Sequence, residues 1–127
     1  MAQLGLVHWM ERNSARLYLS VVTVAEVEDG ISKAAREGAT WKAGLLGQWL
    51  DTVLHLYGAR IFDVDAPTAR LAGRLSDRAR GNGHAPGFAD LLVGATAQAR
   101  GCVVLTRNLR HFVPMGVAAH DPFQGLP

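Results

Sequence analysis

The hydrophobic residues of the chain follow two different spacings, and each spacing predicts a different element. Runs of β-branched and aromatic residues are typical of strands, whereas apolar residues that recur every three or four positions are typical of helices. Strands are predicted at residues 17–22, 60–64, 103–106 and 117–119. Helices are predicted at residues 3–13, 23–37, 40–57, 65–80 and 88–100, with a turn or a single helical turn at residues 108–112.

The order of these elements predicts the fold class. Strands alternate with helices along the chain, which indicates an α/β domain with a mainly parallel sheet flanked by helices. The run at residues 103–106 is mostly apolar, as is common in parallel sheets that are covered on both faces. In such folds ligands bind at the carboxyl ends of the strands, and we expect the functional site there.

Local sequence signals predict where three of the helices begin or end. Thr23 followed by Glu26 matches the capping-box pattern, in which the two side chains bond to each other's backbone N–H groups. Asp65 and Pro67 predict the start of the fourth helix, because aspartate caps helices and proline fits their first turn. Gly58 stands where a helix commonly ends on a glycine.

Composition limits the class of protein. The chain of 127 residues fits a single domain over residues 1–127, and 49% of the residues are hydrophobic, as in globular proteins. A net charge of +2 permits a nucleic-acid partner without requiring one. Cys102 is the single cysteine, so a disulfide scaffold is excluded, and we expect it to be buried. The sequence shows neither a membrane-length apolar stretch nor a signal-peptide pattern, which favours a cytoplasmic location.

Two carboxylates stand where the fold class predicts chemistry. Glu26 lies in the predicted first turn of the helix after the first strand, and Asp90 lies in the first turn of the helix before the third strand. Thr106 and Asn108 come at the end of that third strand and can reach the same edge. Carboxylates at one sheet edge can hold Mg²⁺, which can activate a water for attack on a phosphodiester. The structural alternative is that Glu26 completes a capping box and Asp90 complements a helix dipole.

Three segments of the chain resemble the motifs of PIN-domain proteins, in the order in which that family has them. The segments are LSVVTVAE at residues 19–26, GFADLLVGATA at residues 87–97 and LTRNLRHF at residues 105–112. The first two look like the surroundings of the family's second and third acidic residues, and the last resembles its closing strand and turn. Together with FDVD at residues 62–65, they resemble the VapC-type toxins of toxin–antitoxin operons.

The resemblance implies a PIN-like three-layer sandwich and a Mg²⁺- or Mn²⁺-dependent endoribonuclease. It also implies RNA as the substrate, a cognate antitoxin protein as a partner, and a homodimer. Carried over to this sequence, Glu26 and Asp90 would be metal ligands and catalytic residues. Thr106 would position a ligand or a water, and Asn108 would stand where many relatives have their fourth acid.

The sequence departs from the family pattern in two respects. The family begins with a central strand that ends in Asp-Thr-Asn, and residues 1–11 do not resemble it, so we expect the usual first strand to be absent. A true truncation, a wrongly chosen start codon, and replacement of the strand by residues 3–13 or by a partner stay open as explanations. Asn108 is neutral, and His111 stands where some relatives have a further aspartate. Two alternatives stay open. One is an inactive PIN remnant that binds an antitoxin or dimerises, and the other is a non-nucleolytic α/β binding domain in which the two carboxylates are helix caps.

Other polar and aromatic residues are given structural interpretations. A helical stripe of arginines is expected to be a solvated face, with RNA or antitoxin contact as the alternative: Arg70, Arg74 and Arg78. The glycine-rich segment at residues 80–87 is expected to be an exposed loop, with a substrate lip formed by residues 81–84 as the alternative. Four histidines show no metal-ligand spacing and are interpreted as structural: His8, His55, His111 and His120. The tryptophans are expected in the core or in a dimer interface: Trp9, Trp41 and Trp49.

Overall fold

Residues 2–125 are described by the structure, which is a computed structural model. Within these residues the helices are α1 (Ala2–Arg12), α2 (Val21–Arg36), α3 (Thr40–Tyr57), α4 (Ala66–Gly81), α5 (Phe88–Ala99) and α6 (Leu109–Phe112). The strands are β1 (Leu19–Ser20), β2 (Ile61–Phe62), β3 (Val104–Leu105) and β4 (Ala119–His120). Short 3-10 helices lie at Ser14–Arg16, Gly58–Arg60 and Val113–Met115.

The strands form two parallel pairs. β1 pairs with β2, with Leu19 opposite Ile61, and β3 pairs with β4, with Val104 opposite Ala119. The predicted α/β fold with parallel strands is therefore confirmed. Each strand is shorter than predicted because its length depends on the backbone groups of its neighbour, and the pairing extends over two residues in each pair.

The chain folds into two compact units. The first comprises residues 2–17 and 64–125, and it contains α1, α4, α5, α6 and the β3–β4 pair. The second comprises Tyr18–Asp63, and it contains α2, α3 and the β1–β2 pair. That residues 1–127 form a single domain stays a prediction.

A continuous hydrophobic core organises the first unit. α4 packs on α5, and α5 also contacts α6 and β3. The buried members of this core are Ala72, Leu75, Ala79, Leu91, Ala95, Val104, Phe112, Met115 and Val117. Because removal of apolar surface from water is the main driving force of folding, this cluster fixes the start of α5 relative to the segment that contains α6.

In the second unit α2 packs on α3, and much of the apolar surface of α3 stays exposed. Leu50 is buried, whereas Trp41, Leu45, Trp49 and Leu56 are exposed. A core position for Trp41 and Trp49 is therefore wrong, since these residues are 79% and 53% exposed. The reason is that α3 carries apolar residues on more than one face, and its packing buries only part of them.

The predicted capping box of Thr23 and Glu26 is wrong. α2 begins at Val21, and Ser20 is its N-cap, because the serine hydroxyl oxygen accepts the backbone N–H of Val22 at 3.1 Å. Thr23 thus lies within the first turn, and Glu26 lies in the second turn instead of the first. Val21 and Val22, the β-branched pair after the cap, are typical of a strand, but the Ser20 cap sets the start of the helix.

The other predicted helix ends are confirmed. α3 spans residues 40–57 as predicted, and Gly58 ends it with a φ of +43°. α4 begins after Asp65, whose carboxylate accepts the backbone N–H of Thr68 at 2.9 Å, and Pro67 lies in the first turn. These ends depend on residues within one helical turn, which is why the sequence predicts them.

The exposure of Cys102, Trp9 and the loop after α4 agrees only in part with the sequence predictions. Cys102 is partly exposed instead of buried, because it precedes β3, whose buried residue is Val104. Trp9 is partly buried. Residues 82–85 are exposed, as predicted for a loop, although α4 extends to Gly81. Among residues 2–125, no helix is long and apolar enough to cross a membrane.

Candidate functional site

Asp90 lies in the first turn of α5, as predicted. Gly87 is the N-cap of this helix and contributes no side-chain cap, so Asp90 is the acidic residue nearest to the free backbone N–H groups of the helix start. A negative charge is stabilised there by the helix dipole. The side chain is 31% exposed, so it can contact a ligand from solvent.

His111, on α6, is the direct partner of Asp90. Its Nδ1 lies 2.9 Å from Oδ2 of Asp90, which is a short hydrogen bond, and the histidine side chain is 39% exposed. Among residues 2–125, the Asp90 carboxylate forms no other hydrogen bond or ion pair. One of its two oxygens is therefore engaged by the protein, and the other is available.

The pair is held in place by the core of the first unit. Leu91 follows Asp90 and Phe112 follows His111, and both of these neighbours belong to the buried cluster. Because interiors are close-packed and resist movement, the two backbones are fixed relative to each other. The contact between Asp90 and His111 thus joins residues that are 21 positions apart in the chain.

Thr106 and Asn108 lie in the turn that leads from β3 to α6. The Thr106 hydroxyl accepts the backbone N–H of Asn108 at 3.0 Å, and the Asn108 carbonyl accepts the backbone N–H of His111, also at 3.0 Å. The Thr106 N–H donates to the carbonyl of His120 beside the β3–β4 pair. The turn is therefore tied to the strand pair at one end and to the partner of Asp90 at the other.

Glu26 belongs to the second unit. It is an exposed residue of α2, and the Ser20 cap leaves it without a capping function. The structural alternative for Glu26, the reciprocal cap with Thr23, is therefore excluded. Its membership in a site with Asp90 stays a prediction.

The side chains near Asp90 offer a divalent metal ion part of a ligand set. A hard cation takes carboxylate, carbonyl and water oxygens, and Asp90 supplies one such carboxylate with one engaged oxygen. In the described part of the chain, no group of three or more histidine, cysteine, aspartate and glutamate residues could hold a metal ion. Asp90 can therefore fill one ligand position of the ion, and water or substrate oxygens would fill several of the others.

The contact of His111 with Asp90 is not predicted by the sequence. The lack of metal-ligand spacing to other histidines indicated a structural role for His111, but the contact that matters is with a carboxylate on another helix. A signal was present, because His111 occupies the place of a further acid in the motif at residues 105–112.

The arginine stripe on α4 divides into two kinds of residue. Arg70 and Arg74 are exposed, as predicted for a solvated face. Arg78 lies over the backbone of Gly116, since a Cβ atom on that glycine would come within 2.5 Å of the guanidinium carbon. Arg78 thus contacts the turn between the Val113–Met115 helix and β4.

The sequence of the chain matches a known family of protein domains. The chain matches the PIN domain over residues 5–113, which is most of its length. It belongs to the PIN-domain family, and PIN-domain ribonucleases are generally dependent on divalent metals.

Two relatives resemble the chain over most of its length. Toxin FitB of Neisseria gonorrhoeae is 30% identical over 108 residues, which cover 84% of this chain and 76% of the relative. VapC ribonuclease Y4jK of Sinorhizobium fredii is 31% identical over 110 residues, which cover 85% of this chain and 76% of the relative.

Solved structures support the same fold. The crystal structure of FitAcB from Neisseria gonorrhoeae is similar with a TM-score of 0.80 and 28% identity, covering 94% of this chain and 85% of that one. VapBC2 from Rickettsia felis, bound to a DNA fragment from its promoter, is similar with a TM-score of 0.70 and 22% identity. That alignment covers 90% of this chain and 82% of the other, and it shows the fold alone.

Proposed function

We propose that this chain is the toxin of a toxin–antitoxin pair and that it acts as a divalent-metal-dependent endoribonuclease. The observation that carries the proposal is the position of Asp90. In a chain of the PIN-domain family, this half-buried carboxylate stands at the start of α5 with one oxygen unengaged by described residues. The relatives named as a toxin and as a ribonuclease support the same function.

Asp90 and Glu26 are the proposed metal ligands, with Mg²⁺ or Mn²⁺ as the ion. Such an ion, when bound, orients and activates a water for in-line attack on an RNA phosphodiester. Asp90 supplies a carboxylate oxygen from a fixed helix start. Thr106 keeps the following turn in shape through its bond to the Asn108 N–H, and the exposed Asn108 side chain offers an amide to a water or a phosphate oxygen.

The proposed macromolecular partner is an antitoxin protein. The structural neighbours are toxin–antitoxin complexes, which supports such a partner for this chain. Inhibition of an RNA-cleaving toxin by its antitoxin requires both proteins to meet where the RNA is, so we expect the chain to act in the cytoplasm.

The proposal also includes a homodimer. The exposed apolar residues of α3 support it, because Trp41, Leu45 and Trp49 recur at four-residue intervals and form an apolar stripe. Sedimentation of the purified chain should give a dimer, and Trp49→Gln should weaken it. Val113→Gln changes an exposed apolar residue of the other unit and serves as the control. A monomeric wild type, or equal dimerisation of both variants, would contradict an interface on α3.

The nuclease activity is tested on the purified chain with labelled RNA oligonucleotides and Mn²⁺. Asp90→Asn should reduce cleavage by at least the ~10–100-fold that changes around a metal site cost. Asp77→Asn removes a carboxylate from the exposed face of α4 in the same unit and should leave cleavage unchanged. Chelation of the metal should abolish cleavage.

Glu26 is tested against its neighbour Glu28, because both are exposed glutamates of α2. Glu26→Gln should lower cleavage as Asp90→Asn does, and Glu28→Gln should not. A folded wild-type chain that cleaves no RNA with Mn²⁺ would refute the nuclease and favour the inactive PIN remnant. Equal activity of wild type and Asp90→Asn would remove Asp90 from the site.

A further inference from the structure

The hydrogen bond between His111 and Asp90 makes the two carboxylate oxygens inequivalent, because only Oδ2 is bonded to the histidine. Oδ2 faces Nδ1 of His111 at 2.9 Å, and no other hydrogen bond from residues 2–125 reaches the carboxylate. A carboxylate that is free to rotate about its χ2 torsion presents either oxygen in many directions. A single short hydrogen bond removes much of that freedom.

We propose that His111 is a positioning residue for the metal site, which deepens and rests on the proposed role of Asp90 as a ligand. The imidazole Nδ1–H donates to Oδ2 and thereby presents Oδ1 to the ion. Carboxylates that bind metals are commonly held by such outer hydrogen bonds, which reduce the ordering that binding requires. His111 acts on the ion through Asp90 and does not itself touch it.

The backbone of His111 is suited to this role because it is fixed from both sides. Its N–H donates to the carbonyl of Asn108 at 3.0 Å, and Phe112, the next residue, is 4% exposed and lies in the core. The Asn108 N–H is in turn bound by the hydroxyl of Thr106. The ring can therefore keep its place when the ion arrives and when it leaves.

The proposed bond assigns the protons of the ring. Nδ1 must carry a proton, because the deprotonated carboxylate only accepts hydrogen bonds. Nε2 is then the atom that faces away from Asp90, and it is available to solvent or to a substrate group. A histidine that bound the ion through Nδ1 would instead need a free lone pair on that atom, so the protonation of Nδ1 distinguishes this role from the positioning role. A histidine that bound the ion through Nε2 would keep the Nδ1 proton, and Mn²⁺ binding by His111→Asn distinguishes that role.

Three substitutions at His111 separate the possible roles. In asparagine the amide nitrogen is as many bonds from Cα as Nδ1 is in histidine, so His111→Asn keeps a donor near the same place. In His111→Gln the amide nitrogen lies one bond farther out, where Nε2 is, and His111→Ala has no donor. Circular dichroism and thermal unfolding confirm that each full-length variant is folded.

The measurement is calorimetric titration of Mn²⁺ into the wild type and the variants. We expect His111→Ala and His111→Gln to bind Mn²⁺ about 10–100-fold more weakly, and His111→Asn to stay within a few-fold of the wild type. Tighter binding by His111→Ala would show that the histidine competes with the ion. Weak binding by His111→Asn as well would point to a direct ligand, and either result overturns the proposal.

Nitrogen NMR of His111 tests the hydrogen bond without any metal. We expect a proton on Nδ1 in the wild type and a changed Nδ1 signal in Asp90→Asn, whereas an unprotonated Nδ1 would refute the pair itself. If the proton is present but Mn²⁺ binds no better to wild type than to Asp90→Asn, the metal role of Asp90 fails while the hydrogen bond stands. The failure of the positioning role and the failure of the proposed function are thus distinguishable.

Discussion

Met115 packs against Gly94 so closely that a side chain on the glycine would collide with the Met115 sulfur. A Cβ atom at Gly94 would lie 2.7 Å from Sδ, and Met115 is completely buried. The absence of a side chain on this residue of α5 therefore lets the segment after α6 approach the helix. The contact belongs to the same core that fixes the start of α5.

We expect Gly94→Ala to destabilise the protein. Alanine is better than glycine in a helix by roughly 0.5–1 kcal/mol, but overpacking of a close-packed core costs about 1–3 kcal/mol. Gly73→Ala on α4 is the matched control, because no atom lies within 4 Å of its added Cβ and only the helix preference acts. Urea unfolding should give a lower free energy of unfolding for Gly94→Ala and an equal or higher one for Gly73→Ala.

Met115→Ala removes the largest fully buried side chain among the described residues. We expect a loss of about 2–5 kcal/mol in the free energy of unfolding, because lost burial and a residual cavity both contribute. Val113→Ala, two residues earlier, changes a side chain that is 63% exposed and should stay within about 0.5 kcal/mol of the wild type. Equal effects of the two substitutions would mean that Met115 is not a core residue in solution.

Gly116 and Gly83 share the same left-handed backbone, with a φ of +79° in both. Alanine at either position should cost roughly 1–2 kcal/mol because its Cβ disfavours this conformation. At Gly116 the new Cβ also meets the guanidinium of Arg78, whereas no atom lies within 4 Å at Gly83. Because Arg78 is exposed and flexible, we expect it to move aside and the two costs to agree within about 0.5 kcal/mol.

The double variant Arg78→Ala with Gly116→Ala tests whether Arg78 moves aside for the new Cβ atom. Chemical denaturation should show no coupling between the two substitutions. A cost at Gly116 well above that at Gly83, relieved by Arg78→Ala, would show that the guanidinium is held rigidly over the turn.

Asp65 should make the stability of the protein depend on pH in the acid range. The hydroxyl and then the backbone N–H of Thr68 hold the pKa of Asp65 below its ordinary value of 3.8, and the charge of Arg100 adds to this. A depressed pKa of an acid stabilises the folded state above the unfolded pKa, and this contribution is lost as pH falls through the folded pKa. The stabilisation should therefore be complete near neutral pH and decline below about pH 4.

Asp65→Asn keeps an oxygen acceptor for the Thr68 N–H but cannot titrate. The difference in unfolding midpoint between wild type and Asp65→Asn should therefore shrink from about pH 7 to about pH 3. Thr68→Val removes the hydroxyl donor and should reduce the same pH dependence. A difference that does not change with pH would contradict the assigned hydrogen bonds.

The sequence predicts those features that depend on neighbours within one or two turns. The bounds of α3, its end at Gly58 and the start of α4 after Asp65 are such features, and all three are confirmed. The start of α2 is a local feature that the residue types obscured, because Val21 and Val22 favour a strand while Ser20 caps a helix. The order of the segments and the resemblance of their motifs were also enough to predict the PIN-domain family.

Tertiary structure decided the features that join distant parts of the chain. Each strand has two residues, fewer than the sequence predicts, because its length depends on pairing with a neighbouring strand, as between Leu19 and Ile61. Burial of α3 follows from what packs on it, so Leu50 is buried while Trp49 is exposed. The bond between Asp90 and His111 spans 21 residues. Periodicity and composition describe how a segment relates to itself, and they carry no information about which side chain of another segment comes to lie against it.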